Sequence, residues 1–121
     1  MKFAHVTINV KNLEESLKFY EEIVGLPVVN RFPAGPNMEI VFLGQGDTLV
    51  ELIHDSANND ISIGSDISIG FAVDSLDETM AFVKEIGIEI HSGPFQPNSN
   101  TRFFFVLDPN GLKVQSIEQK N

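Results

Sequence analysis

Phe3-Ala4-His5-Val6-Thr7-Ile8-Asn9-Val10 carries two messages at alternating positions. Ala4, Val6, Ile8 and Val10 make an apolar face, and Phe3, His5, Thr7 and Asn9 make a mixed one. Strict alternation is the period of a half-buried strand, so one face packs beneath a helix and the other looks into a wetter space. His5 stands on the wetter face.

The residues that follow set the topology. Asn12-Leu13-Glu14-Glu15 is a capping box, in which the Asn12 carboxamide accepts from a first-turn amide and Glu15 reaches back. Leu13, Leu17, Tyr20 and Val24, with Phe19 and Ile23 beside them, recur at helical spacing until Gly25, which predicts a helix over 13–24. A short strand at 26–30, a loop rich in Pro and Gly at 31–37, a strand at 38–43, a turn at 44–47 and a strand at 48–54 complete the first half. After a polar stretch the order returns: a strand at 67–73, a second capping box at Ser75-Leu76-Asp77-Glu78, and a helix closed by Gly87. A short strand at 88–91, a breaker-rich loop at 92–100, a strand at 102–107, the turn Asp108-Pro109-Asn110-Gly111 and a strand at 112–118 finish the chain.

An offset of about 63 residues lays Val10 on Val73, Leu13 on Leu76 and Phe19 on Phe82. The expected fold is α+β: two tandem βαβββ modules, 1–55 and 66–121, joined by a polar linker into one domain over 1–121 with a concave cleft.

Composition narrows the function. A chain of 121 residues with ten Phe can bury a core unaided. It has no Cys, which excludes disulfides and thiolate metal sites. Its net charge of −9, from 17 acidic and 8 basic side chains, repels nucleic acid and anionic membrane, so neither is an expected partner. No apolar run approaches the roughly 18 residues of a membrane span and no signal peptide opens the chain, so a cytoplasmic location is expected.

Parity places Leu49, Glu51 and Ile53 on the face of His5, and Val50 and Leu52 with the core. A carboxylate inside a strand is conspicuous, because Glu is depleted there and costly to enclose without a partner. An imidazole and a carboxylate on one face make half of a site for Zn, Ni, Fe or Mn. The repeat makes Ser68 the counterpart of His5 and Gln115 the counterpart of Glu51. Both are neutral; the Gln115 carbonyl oxygen is the expected third, weaker, metal ligand. Arg102 is a candidate anchor for a ligand carboxylate, beside the plainer reading of a solvated strand charge. Phe103-Phe104-Phe105 must divide between core and cleft, while Phe32 and Phe95, each in a proline-rich loop, are candidates for gating its mouth.

His5 in the opening strand, NLEESLKFYEEIVG at 12–25, Glu51 in LVELI, and the turn at 108–111 followed by Val114-Gln115 together resemble the vicinal oxygen chelate superfamily. Glyoxalase I, bleomycin-resistance proteins and extradiol dioxygenases belong to it. The resemblance implies metal positions at His5, Glu51, Ser68 and Gln115, of which the first two carry the usual His and Glu. It implies a carboxylate that moves a substrate proton in glyoxalase I; Gln115 cannot be that base, which leaves Glu51 as the catalytic candidate. It also implies a homodimer. Three functions then stand. One is a small-molecule lyase or isomerase with a reduced divalent-metal site at His5 and Glu51, its ligand touching His5, Ser68, Gln115 and Arg102. The second is a metal-free binder of an apolar or aromatic molecule, of the bleomycin-resistance kind. The third is an interaction module with a vestigial cleft.

Overall fold

The alternation at the start of the chain becomes β1 (His5–Asn9), which lies parallel to β4 (Leu49–Asp55). Parallel neighbours cannot be joined by a tight turn; the chain crosses the sheet through α1 (Leu13–Lys18) to the far edge and returns to β4 by two antiparallel strands. β3 (Met38–Leu43) pairs antiparallel with both β4 and β2 (Val28–Pro33), giving the sheet order β1-β4-β3-β2. In this computed structural model residues 1–58 and 60–120 are described, and the chain forms two compact units, Met1–Ser62 and Ile63–Asn121.

In the first unit Ile8, Val10, Val41, Leu43, Val50 and Leu52 pack on one face of the sheet with Leu13, Leu17, Phe19 and Tyr20. The Asn12 carboxamide accepts from the Glu15 amide at 3.0 Å, as the capping box requires. The helix does not stay regular to residue 24. After Lys18 it widens into a π-helical turn over Phe19–Ile23, closed by the Val24 amide donating to the Phe19 carbonyl at 3.1 Å. The wider turn coincides with burial of two adjacent aromatic rings, Phe19 and Tyr20, which meet edge to face 5.0 Å apart. Arg31 clasps α1 to the sheet: its Nη2 donates to Glu14 at 3.0 Å and its Nε donates to Glu39. The Arg31 hydrogen bond holds the Glu39 carboxyl below its ordinary value.

The second unit repeats the plan. β5 (Ser68–Ala72) runs parallel to β8 (Lys113–Gln119), which pairs antiparallel with β7 (Thr101–Leu107), and β7 with β6 (Ser92–Asn98). α2 (Leu76–Glu85) starts at Ser75, whose hydroxyl accepts from the Glu78 amide at 3.2 Å. Leu76, Val83, Phe104, Val106, Leu112 and Val114 are the buried apolar residues. The turn at 108–111 is tied by Asp108, whose carboxylate accepts from the Asn110 and Leu112 amides at 2.8 and 2.9 Å. Gly111 sits there at φ +91°, which only glycine adopts without strain.

Two expected boundaries are corrected. The strand expected at 88–91 forms later, as β6, in residues that the breaker pattern assigned to a loop. β6 is an edge strand with interrupted pairing to β7, at Ser92↔Phe105, Phe95↔Phe103 and Asn98↔Thr101, so Pro94 and Pro97 need not supply ladder amides. β2 likewise continues to Pro33, again as an edge strand, which brings Phe32 onto a sheet. No helix among the described residues is long and apolar enough to cross a membrane.

Leu52 is fully buried, and Leu52→Ala is expected to cost about 2–5 kcal/mol of unfolding free energy in urea titrations; Asn12→Ala should cost about 1 kcal/mol through loss of the cap. The Arg102 guanidinium hydrogen-bonds Asp77 and holds its carboxyl below the ordinary 3.8. A carboxyl depressed in the folded state adds stability above its unfolded-state value and loses it as pH falls through its folded-state value. Wild type should therefore be slightly more stable than Asp77→Asn at pH 7 in thermal unfolding, and the gap should close as acid protonates Asp77 in the folded protein.

Candidate functional site

Val50 and Leu52 are drawn into the core of the first unit, so Glu51 between them points to the opposite face of β4. The parallel register sets Thr7 directly across from Glu51, and His5 across from Leu49. The Thr7 hydroxyl donates to Glu51 Oε1, and the same oxygen lies 3.5 Å from His5 Nε2. On the other side of Glu51 stands its β3 partner, Phe42. The Phe42 ring meets the His5 ring edge-on at 5.5 Å and stacks with Phe32 at 6.3 Å. The Glu51 side chain is 12% exposed and that of His5 40%. A carboxylate so enclosed needs partners, and the Thr7 hydroxyl supplies one donor.

The corresponding face of the second unit is built differently. Gln115 lies between Gly70 of β5 and Phe105 of β7. Gly70 holds the place that Thr7 holds in the first unit, and a Cβ there would sit 2.7 Å from Gln115 Oε1. Glycine thus leaves room for the carboxamide. Ser68, across from Lys113, is exposed and provides a hydroxyl. Phe95, Phe103 and Phe105 form an aromatic cluster with centroids 5.5 to 6.5 Å apart, and Lys113 Nζ stands 5.8 Å above the Phe105 ring.

Within the first unit His5 and Glu51 are brought together; within the second, Ser68 and Gln115 share one sheet face. Arg102 is not on that face. It shares the α2 side of β7 with the buried Phe104, and its Nη2 donates to Asp77 Oδ1 at 3.1 Å. The acidic first turn of α2 holds this cation, so Arg102 bridges helix and sheet. Phe32 and Phe95 belong to strands rather than mouth loops. His54 sits across from Glu39, on the face opposite Glu51. Two residues escaped the sequence reading: Thr7, whose parity matched His5 but whose pairing with Glu51 depended on the register, and Lys113, two residues before Gln115.

Among the described residues no three or more His, Cys, Asp or Glu side chains gather as a metal site. His5 and Glu51 nevertheless fit two positions of one. Two ligands each about 2.1 Å from a tetrahedral ion lie about 3.4 Å apart, against the 3.5 Å seen between Nε2 and Oε1. Ser68 and Gln115, in the second unit, offer only neutral oxygens.

Comparison with known proteins agrees with this architecture. The family model for the Glyoxalase/Bleomycin resistance protein/Dioxygenase superfamily matches residues 2–115. A lactoylglutathione lyase of Neisseria meningitidis is 32% identical over 130 residues, covering 100% of this chain and 93% of the relative. One from Salmonella typhimurium is 26% identical, covering 100% of this chain and 95% of the relative. Among solved structures, trypanothione-dependent glyoxalase I of Leishmania major superposes with a TM-score of 0.84 at 23% identity, covering 98% of this chain and 86% of that one. The antibiotic-binding protein TnmS3 of a Streptomyces species gives 0.77 at 20% identity, covering 99% and 97%. By its family match and by the two βαβββ units that carry it, this chain belongs to the Glyoxalase/Bleomycin resistance protein/Dioxygenase superfamily.

Proposed function

We propose that the protein is a glyoxalase-like lyase or isomerase of a small molecule, with His5 and Glu51 as ligands of a divalent cation (Zn, Ni, Fe or Mn) and Glu51 as the proton-transferring group. The observation that carries this is the approach of His5 Nε2 to Glu51 Oε1 on a sheet face lined with aromatic rings. The relatives named lactoylglutathione lyase support the reaction class. When bound, such a cation supplies polarisation of a substrate carbonyl oxygen. Glu51 has two oxygens for two tasks: Oε1 is directed at His5, and Oε2 takes a proton from the carbon beside the carbonyl and returns it to its neighbour. His5 would offer its Nε2 lone pair to the cation that Oε1 also meets, and Phe42 limits water on one side. Gln115, with a neutral carboxamide, cannot do this proton transfer. The reading places the protein in the cytoplasm as a homodimer.

A second reading, metal-free binding of an apolar or aromatic molecule, is favoured by the Phe95–Phe103–Phe105 cluster, in which Phe95 remains 45% exposed. It also accords with the fold shared with an antibiotic-binding protein.

Metal analysis and Co²⁺ titration, followed by an assay of S-lactoylglutathione cleavage to methylglyoxal and glutathione, separate the two. The first reading predicts stoichiometric uptake, activity lost to chelator, and a fall in kcat of about 10²–10⁴-fold in Glu51→Gln. No uptake by wild type, together with aromatic-ligand binding that survives chelator and weakens in Phe103→Ala, would establish the second instead.

A further inference from the structure

The two units differ at one position in a way that points to a role for Thr7. Across from the acid of the first unit stands a threonine whose hydroxyl donates to it; across from the amide of the second stands a glycine with nothing to donate. We propose that Thr7 is a positioning residue for Glu51, fixing its carboxylate so that one oxygen faces His5 while the other is left for substrate. This rests on the reading of Glu51 as ligand and base.

Glu has three rotatable side-chain bonds, and a solvated carboxylate on a sheet would sample several arrangements. A hydrogen bond from a neighbouring strand removes most of them. Threonine suits the task because its β-branch leaves χ1 few choices, so its hydroxyl is itself held in place. An ionised carboxylate is acceptor-only, so the proton of this bond comes from Thr7. Oε1 has a second lone pair for a cation, and a donor on the outer side of a ligating oxygen is how metal-site carboxylates are commonly oriented. Thr7 is exposed and no part of the apolar core, so its removal need not disturb the fold.

The competing explanation is an ordinary cross-strand pair that merely steadies β1 against β4. The experiment therefore measures Co²⁺ affinity by titration calorimetry, kcat and KM separately, and thermal unfolding, for wild type, Thr7→Val, Thr7→Ser and Glu51→Gln. Thr7→Val should bind Co²⁺ about 10–100-fold more weakly and lose kcat with little change in KM, while melting close to wild type. Thr7→Ser, which keeps the hydroxyl, should recover most of the affinity. In the Glu51→Gln background Thr7→Val should have no further effect on Co²⁺ binding. Co²⁺ affinity in Thr7→Val within twofold of wild type, with Glu51→Gln impaired, overturns the role of Thr7 and leaves the function intact. Wild-type affinity in Glu51→Gln overturns the reading beneath it. Should Thr7→Val fail to fold, Thr7→Ala serves the same comparison.

Discussion

The parallel pairing of β1 with β4 is the constraint on which the candidate site depends. Thr7 and Glu51 are 44 residues apart in the chain and come into contact only through that register. A one-residue slip would turn Glu51 into the core and put Val50 and Leu52 on the open face, exchanging two buried apolar side chains for a buried charge. The packing of Ile8, Val10, Val50 and Leu52 beneath the helix thus holds His5, Thr7 and Glu51 on the other side. Burial on one face orders the chemistry of the other.

The two units show what the same scaffold does with different side chains. Each has a strand, a capped helix and a hairpin sheet, with the first strand parallel to the last. In the first unit the counterpart positions carry His5, Thr7 and Glu51; in the second they carry Ser68, Gly70 and Gln115. The first set puts an imidazole beside a carboxylate, the donor types found around divalent cations. The second can only donate and accept hydrogen bonds, beside a cluster of Phe and one lysine.

Much of this was legible in the chain because the signals were local. The capping residues Asn12 and Ser75, the alternation at 3–10 and the turn at 108–111 each fix a few backbone groups by nearby side chains, and the structure has all of them. Parity alone put His5 and Glu51 on one face. What escaped the sequence was of longer range. The partner of Arg102 is Asp77, on a helix 25 residues away, and no pattern within a strand announces it. The register that gives Glu51 a donor in Thr7 is set by the whole core. β6 was misplaced because Pro94 and Pro97 signal a loop, yet at a sheet edge they are tolerated. The π-helical turn at Phe19–Ile23 has no marker in the apolar periodicity, which is satisfied either way.

The central claim is that His5 and Glu51 act together as ligands of one divalent cation. NMR of the His5 imidazole nitrogens and the Glu51 carboxyl carbon during a Zn²⁺ titration tests it most directly. The account predicts that His5 Nε2 and the Glu51 carboxyl shift together and saturate at the same Zn²⁺ concentration, while His54 and His91 stay where they were. Shifts confined to His54 or His91, or a His5 resonance that moves without Glu51, would contradict it.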